Sequence, residues 1–327
     1  MATAHQIKAL LKSYSRGDDE HFLTVALQIA ANEAGKGHSA LAQEIKKIVE
    51  DAQSRKSSRS ASNLMVMAQP QGDLANLLEV VESHTRLGQM VIPQSLRLRL
   101  NRIVREQKNF SKLREHFLLP RQKILLLGPP GCGKTMTAYA LAGELGLPLF
   151  IVRLDAIFTK FLGETASKLR LVFDTIGQNR AVYLFDEFDS LGLSRGSHHD
   201  VAEMRRVLNS FLVFLENLKG NSLVIAASNH PEALDSALFR RFDDLIRYTM
   251  PTVLEIEQVL RNHLAVTGVD SSEVTWPDVL KQLDGLSHAE VARVANEAVK
   301  EMLIESRDKL TTDVLLTAIA ERKQHLN

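Results

Sequence analysis

The residues best suited to chemistry are Gly128, Pro129, Pro130, Gly131, Cys132, Gly133, Lys134 and Thr135, a continuous run behind the apolar stretch KILLL. Three glycines let the backbone curl until its N–H groups converge, and a helix beginning there adds its positive N-terminal end. Such a P-loop cradles the phosphates of a nucleotide. Lys134 is placed to reach the β- and γ-phosphates, and the Thr135 hydroxyl to ligate Mg²⁺. Met136 follows on the first helical turn. Cys132 fills a variable position of the loop, and its thiol is at most an incidental handle for oxidation.

Two acids and an amide extend this set. Asp186 and Glu187 end the apolar run AVYLF. Asp186 would hold Mg²⁺ beside Thr135, directly or through water, and Glu187 would polarise an attacking water as general base. Asn229 ends the run LVIAAS and could orient that water and sense the γ-phosphate. Taken alone, an Asn before His-Pro is a turn former. Asp189 has two readings, a structural hydrogen bond or a role at a subunit interface.

The elements that must position these residues alternate strand and helix. Short apolar runs at 124–127, 182–185 and 223–227, with further candidates at 149–154 and 245–248, read as strands. The first, third and fourth along the chain have the look of strands buried on both faces. Helical stretches near 134–145, 164–177 and 200–218 separate them. This pattern predicts an α/β fold, a parallel five-stranded sheet with helices on both faces, over about 86–250. After Pro251 no strand signal remains, and 253–267, 277–283, 287–305 and 311–324 predict an all-helical C-terminal domain over 251–327. Residues 1–52 read as a small domain of short amphipathic helices, and 53–85, opening with a Ser-, Gln- and base-rich stretch, as a linker.

The composition is that of an ordinary globular chain: 327 residues, 45% hydrophobic and 24% charged. Its 40 basic and 39 acidic residues give a net charge of +1, which argues for no polyanionic partner. A basic helix after Pro93 carries Arg97, Arg99, Arg102, Arg105, Lys108, Lys112 and Arg114; we read it as a solvated face rather than a nucleic-acid contact. A single cysteine excludes an internal disulfide, and no run approaches the roughly 18 apolar residues of a membrane span. The expectation is a cytoplasmic protein with no membrane partner.

In order and spacing, these motifs resemble the AAA+ superfamily, and its protein-remodelling AAA clade in particular, over about residues 86–324. The resemblance implies ATP and Mg²⁺ as ligands, a helical lid after the core, and a homo-oligomeric ring, typically a hexamer. It identifies Leu234–Asp243 with the arginine-finger region. The usual pattern has two residues between the arginines; here Arg240 and Arg241 are adjacent, so both stand as candidates to reach a neighbour's γ-phosphate. Phe161, Leu162 and Gly163 resemble the first pore loop, whose aromatic grips an extended protein chain; in isolation they would mean a core Phe before a helix. Phe158 is expected to be buried, and 190–200 to form a second pore-facing loop. The run GLSHAEV at 285–291 resembles the clade's Gly-x-Ser-Gly-Ala-Asp-Leu, with Ala289 where other AAA+ clades carry a sensor arginine. His288 replaces a glycine there, either near the adenine or exposed at a helix start.

A closer likeness is to bacterial AAA ATPases encoded beside a subtilisin-like serine protease and associated with phage defence. No Ser-His-Asp set is evident here, so proteolysis would belong to the partner. The implied function is a MgATP-dependent ring that remodels or threads a protein substrate, feeding or gating such a protease. The alternatives are a regulatory ATP switch that holds a partner enzyme, and an ATPase driven by nucleic acid.

Overall fold

The computed structural model describes residues 70, 72–157, 162–191, 198–234 and 236–326, with six residues of the first 67. The chain divides into two compact units, Met1–Met67 and Ala68–Asn327. In the first, Val25, Ile29 and Ala30 are buried and helical, Val25 and Ile29 standing at the i, i+4 spacing of one helix face. The rest of the expected N-terminal helices lies outside the described residues.

The second unit is built on a sheet of six strands: β1 (Leu78–Val81), β2 (Lys123–Leu127), β3 (Leu149–Val152), β4 (Val182–Phe185), β5 (Leu223–Ser228) and β6 (Asp244–Arg247), in the order β1-β3-β4-β5-β2-β6. Strands β2 to β6 are parallel, and β1 runs antiparallel to β3 at the edge. The expected five strands are therefore six. The added one lies in the stretch read as linker: LEVV is four residues long and only half covered, too brief for alternation to register.

Each central strand feeds both faces. Leu125 and Leu127 of β2 join one apolar cluster while Ile124 and Leu126 join the other, and Tyr183 and Phe185 of β4 oppose Val182 and Leu184 in the same way. Helix α1 (Gln94–Lys108) and α3 (Lys134–Leu145) cover one face through Leu100, Ile103 and Leu141; the short α2 (Phe110–Glu115) follows α1. Helices α4 (Leu162–Gln178) and α5 (His198–Glu216) cover the other through Leu169, Phe173 and Phe211.

The C-terminal helices are α6 (Val253–Thr267), α7 (Trp276–Leu283), α8 (His288–Ile304) and α9 (Thr312–Leu326), packed round Leu260, Val294 and Leu315. They are not the whole of it. Strands β7 (Asp270–Glu273) and β8 (Lys309–Thr311) form a small parallel pair, so this region is not all-helical as expected. Their sequences, DSSE and KLT, are mostly polar; tertiary proximity pairs them, with Leu310 buried beneath.

Candidate active site

The strand order decides what meets. β5 lies between β4 and β2, so the C-terminal ends of three adjacent parallel strands present the P-loop, Asp186-Glu187 and Asn229 side by side. Glycines shape the loop: Gly128, Gly131 and Gly133 have φ of 144°, 74° and 95°. A Cβ on Gly128 would stand 2.4 Å from the Tyr248 carbonyl at the end of β6. The Tyr248 hydroxyl in turn lies 2.5 Å from that of Thr137, and burial pushes it up to about 12.

Lys134 is buried, and its Nζ donates to the carbonyls of Gly128 (2.8 Å) and Pro129 (2.7 Å). Burial lowers its pKa, while nearby Cys132, Asp186 and Asp189 pull it back up. The Thr135 hydroxyl donates to Asp186 Oδ2 at 2.6 Å. A hydroxyl and a carboxylate this close are hard oxygen ligands that suit Mg²⁺, which keeps several waters of its own. Among the described residues no cluster of three or more His, Cys, Asp or Glu competes for a metal.

Glu187 is exposed at φ 49°, a left-handed conformation rare for a side chain of its size, and its N–H donates to Asp186 Oδ1 at 2.9 Å. Of the two readings of Asp189, the structural one is observed: the carboxylate is buried and accepts the Asn229 N–H at 3.1 Å. Cys132 is buried against Met250, and desolvation raises its thiol pKa against the pull of nearby Lys134, which disfavours the reactive thiolate.

Helix α8 closes on the loop from the C-terminal region. Ser287 caps it, and the Ala289 N–H donates to the Gly131 carbonyl at 3.1 Å. Between loop and helix lies a cavity of about 440 Å³ lined by Pro130–Met136, Asp186, Glu187, Asn229, His288 and Ala289. Gly128 and Pro129 are outside that lining and meet Lys134 through their carbonyls. Sequence reading missed the remaining wall, which includes Met90, Val91 and Ile92 before α1 and Val259, Asn262 and His263 on α6. The α6 residues stand at i, i+3 and i+4, one helical face, and that spacing was the available signal. Both ring nitrogens of His288 are buried without a hydrogen-bond partner.

Arg240 and Arg241 lie outside the cavity lining. Arg240 is exposed, with no ion pair among the described residues, whereas half-buried Arg241 pairs with Glu216 of α5. The acids beside them are engaged elsewhere: Asp243 accepts the N–H groups of Gln122 (2.8 Å) and Lys123 (2.9 Å), and Asp244 pairs with Arg99 and Arg121. Leu162 and Gly163 open α4; Phe158, Phe161 and residues 192–197 lie outside the described residues, and His198 and His199 begin α5. The basic helix is partly committed internally. Arg97 donates to the carbonyls of Leu87 and Met90, both at 2.6 Å, Arg99 holds Asp244, and Arg102 pairs with Glu106 at 3.2 Å.

Comparison with known proteins follows the same geometry. Residues 124–250, which carry β2 to β6, match the model of the ATPase family associated with various cellular activities (AAA). The chain is similar to the uncharacterized AAA family ATPase y4kL of Sinorhizobium fredii, at 36% identity over 311 residues, covering 95% of this chain and 92% of that one. It is also similar to the ATP-dependent zinc metalloprotease FtsH of Mycoplasmopsis synoviae, at 36% over 61% of this chain and 31% of FtsH, and of Halothermothrix orenii, at 30% over 76% and 42%. It thus spans less than half the length of these metalloproteases. No helix among the described residues is long and apolar enough to cross a membrane. With a relative aligned along nearly its whole length and the family model lying on the strands that carry the loop and the acids, the chain belongs to the AAA family of ATPases, enzymes that hydrolyse ATP.

Proposed function

We propose that the cavity between the P-loop and α8 binds MgATP, and that hydrolysis there drives a ring of identical subunits to remodel or thread a protein. The observation that carries this reading is the convergence of Thr135, Asp186, Glu187 and Asn229 on one cavity, with Thr135 and Asp186 already in contact. The P-loop N–H groups and Lys134 hold the phosphates; to do so Lys134 exchanges its two carbonyl partners for phosphate oxygens. Thr135 and Asp186 would hold Mg²⁺, which would supply positive charge against the phosphates. Glu187 takes a proton from the attacking water, and Asn229, fixed by Asp189, orients that water.

Arg240 is the proposed trans finger, because it is exposed, lacks an ion pair among the described residues and lies away from its own subunit's cavity. Arg241, tied to Glu216, positions the segment. The C-terminal helices act as a lid through the Ala289–Gly131 contact. Phe161, by its resemblance to the clade's pore aromatic, grips substrate in a hexameric ring. FtsH relatives, named as ATP-dependent proteases, favour a protein as substrate. The engagement of Arg97, Arg99 and Arg102 within the chain weighs against nucleic acid.

The test is capture. Glu187→Gln should bind MgATP and hydrolyse it about 10²–10⁴-fold more slowly. Purified with and without ATP, it should retain a protein partner only with ATP; a subtilisin-like protease among the retained proteins would identify the partner that the ring serves. Equal retention in both conditions would overturn the reading.

A further inference from the structure

Phe117, Leu118 and Leu119 are the longest run of exposed large apolar side chains among the described residues, at 98%, 57% and 72%. Single apolar residues in water are ordinary, but a contiguous group marks a contact surface. This group is also held firmly. The N–H groups of Phe117 and Leu118 donate to the carbonyls of Arg114 and Leu113, both at 3.0 Å, which closes the end of α2. On the other side Pro120 is buried, the Arg121 N–H donates to Glu106 at 3.1 Å, and its carbonyl accepts from Gln107 at 2.6 Å. Phe117 itself has φ 59°, at the kind of helix end where glycine is usual. A bulky side chain on costly backbone, pinned on both sides and bare to water, serves a surface outside its own fold.

The sheet shows where that surface lies. Gln122 and Lys123 donate to Asp243, which follows Arg240 and Arg241. The apolar run and the arginine pair therefore share the N-terminal ends of β2 and β6, while the nucleotide cavity sits at the C-terminal ends of the strands. The charge around the run is basic: exposed Lys108, Lys112 and Arg114 outnumber Glu115, and none of the four has an ion pair among the described residues. A surface of matching chemistry exists on the same chain. Val253 of α6 with Trp276, Pro277 and Leu280 of α7 line an open groove of about 650 Å³, to which Glu257 and Asp284 bring acid beside Lys281. Glu257 is paired with Arg261, whereas exposed Asp284 has no ion pair among the described residues. Helix α6 also lines the nucleotide cavity, through Val259, Asn262 and His263, so one helix borders both the cavity and the groove.

We propose that Phe117, with Leu118 and Leu119, docks in the α6–α7 groove of a second copy of this chain. The assignment rests on the ring reading and names one of its contacts. Run and groove are different surfaces, so the contact is head-to-tail and repeats from copy to copy, as a closed ring requires. Lys112 and Arg114 meet the acid of Asp284 at the rim, and opposite charges there fix the register.

The test is cross-linking on the Glu187→Gln protein with MgATP. Phe117→Cys and Leu280→Cys are made in separate chains, mixed, and treated with a short bismaleimide; the chain with buried Cys132 alone gives the background. A cross-linked dimer should form only in the mixture, and a chain carrying both substitutions should give a ladder of oligomers. Phe117→Gly removes the side chain and suits the backbone. It should weaken association about tenfold or more by sedimentation, without lowering the melting temperature measured without ATP. A lowered melting temperature would place the Phe117 side chain in the service of its own subunit and overturn the contact. Assembly with ATP that gives no cross-link, or that Phe117→Gly leaves unaltered, overturns the contact and leaves the ring. A protein that sediments as a monomer with ATP overturns the ring reading itself, and the contact with it.

Discussion

Glu187 and Asp189 stand two residues apart and show opposite uses of a carboxylate. Glu187 is exposed on backbone that costs an ordinary side chain about 1–3 kcal/mol, held there by its own N–H on Asp186. Asp189 is buried, and its partner is the backbone of Asn229, forty positions along the chain. Asp189→Ala leaves the Asn229 N–H without that acceptor and should cost about 1–3 kcal/mol, read as a lowered denaturation midpoint. Because Asn229 then loses its anchor, hydrolysis should fall by more than ATP affinity does. Equal losses of both would mean that Asp189 serves stability alone. The identities of these residues were legible from motif order, but the choice between the two readings of Asp189 was not, since its partner follows β5, forty positions along the chain.

At the scale of elements, α8 and the P-loop are joined closely in the site. Gly131 has φ 74°, and a Cβ there would lie 2.3 Å from Ser287 Oγ, the cap of α8. Gly131→Ala therefore combines backbone strain with a steric push on the helix start. Gly285 has a similar φ of 83° with open space around it, so Gly285→Ala carries the strain alone. Each should lose about 1–3 kcal/mol of stability by thermal denaturation. Only Gly131→Ala should also weaken ATP binding, by displacing the Ala289 N–H from the Gly131 carbonyl; equal ATP affinity in the two variants would show that the contact does not gate the site. The central strands and the C-terminal helices were readable because burial on both faces, or on one helical stripe, imposes a local period. β1, β7 and β8 were not, because a four-residue edge strand and two polar strands impose none.

For the whole molecule, the proposed ring separates each site's Glu187 from the arginine that serves it. Arg240→Ala should reduce hydrolysis by about 10³–10⁵-fold with ATP still bound. Mixed with Glu187→Gln subunits, themselves nearly inactive, it should regain measurable activity, because an intact Glu187 then sits beside a neighbour carrying Arg240. No recovery on mixing would place the arginine's action within one subunit or nowhere. Arg241→Ala should act mainly through the loss of Glu216 and show no such recovery.

By itself the sequence determined the chemical inventory of this protein: a glycine-rich loop, an acid pair, an amide at a strand end, and the five parallel strands that carry them. These are runs of neighbouring residues, and short-range geometry dictates how such runs behave. Only the tertiary structure decided that β5 separates β2 from β4, that Asp189 holds Asn229, that Arg241 is paired while Arg240 is exposed, and that Val91 and α6 wall the cavity opposite the loop. Those pairings join residues tens to hundreds of positions apart. Their partners are chosen by strand order and helix packing, which no local period records.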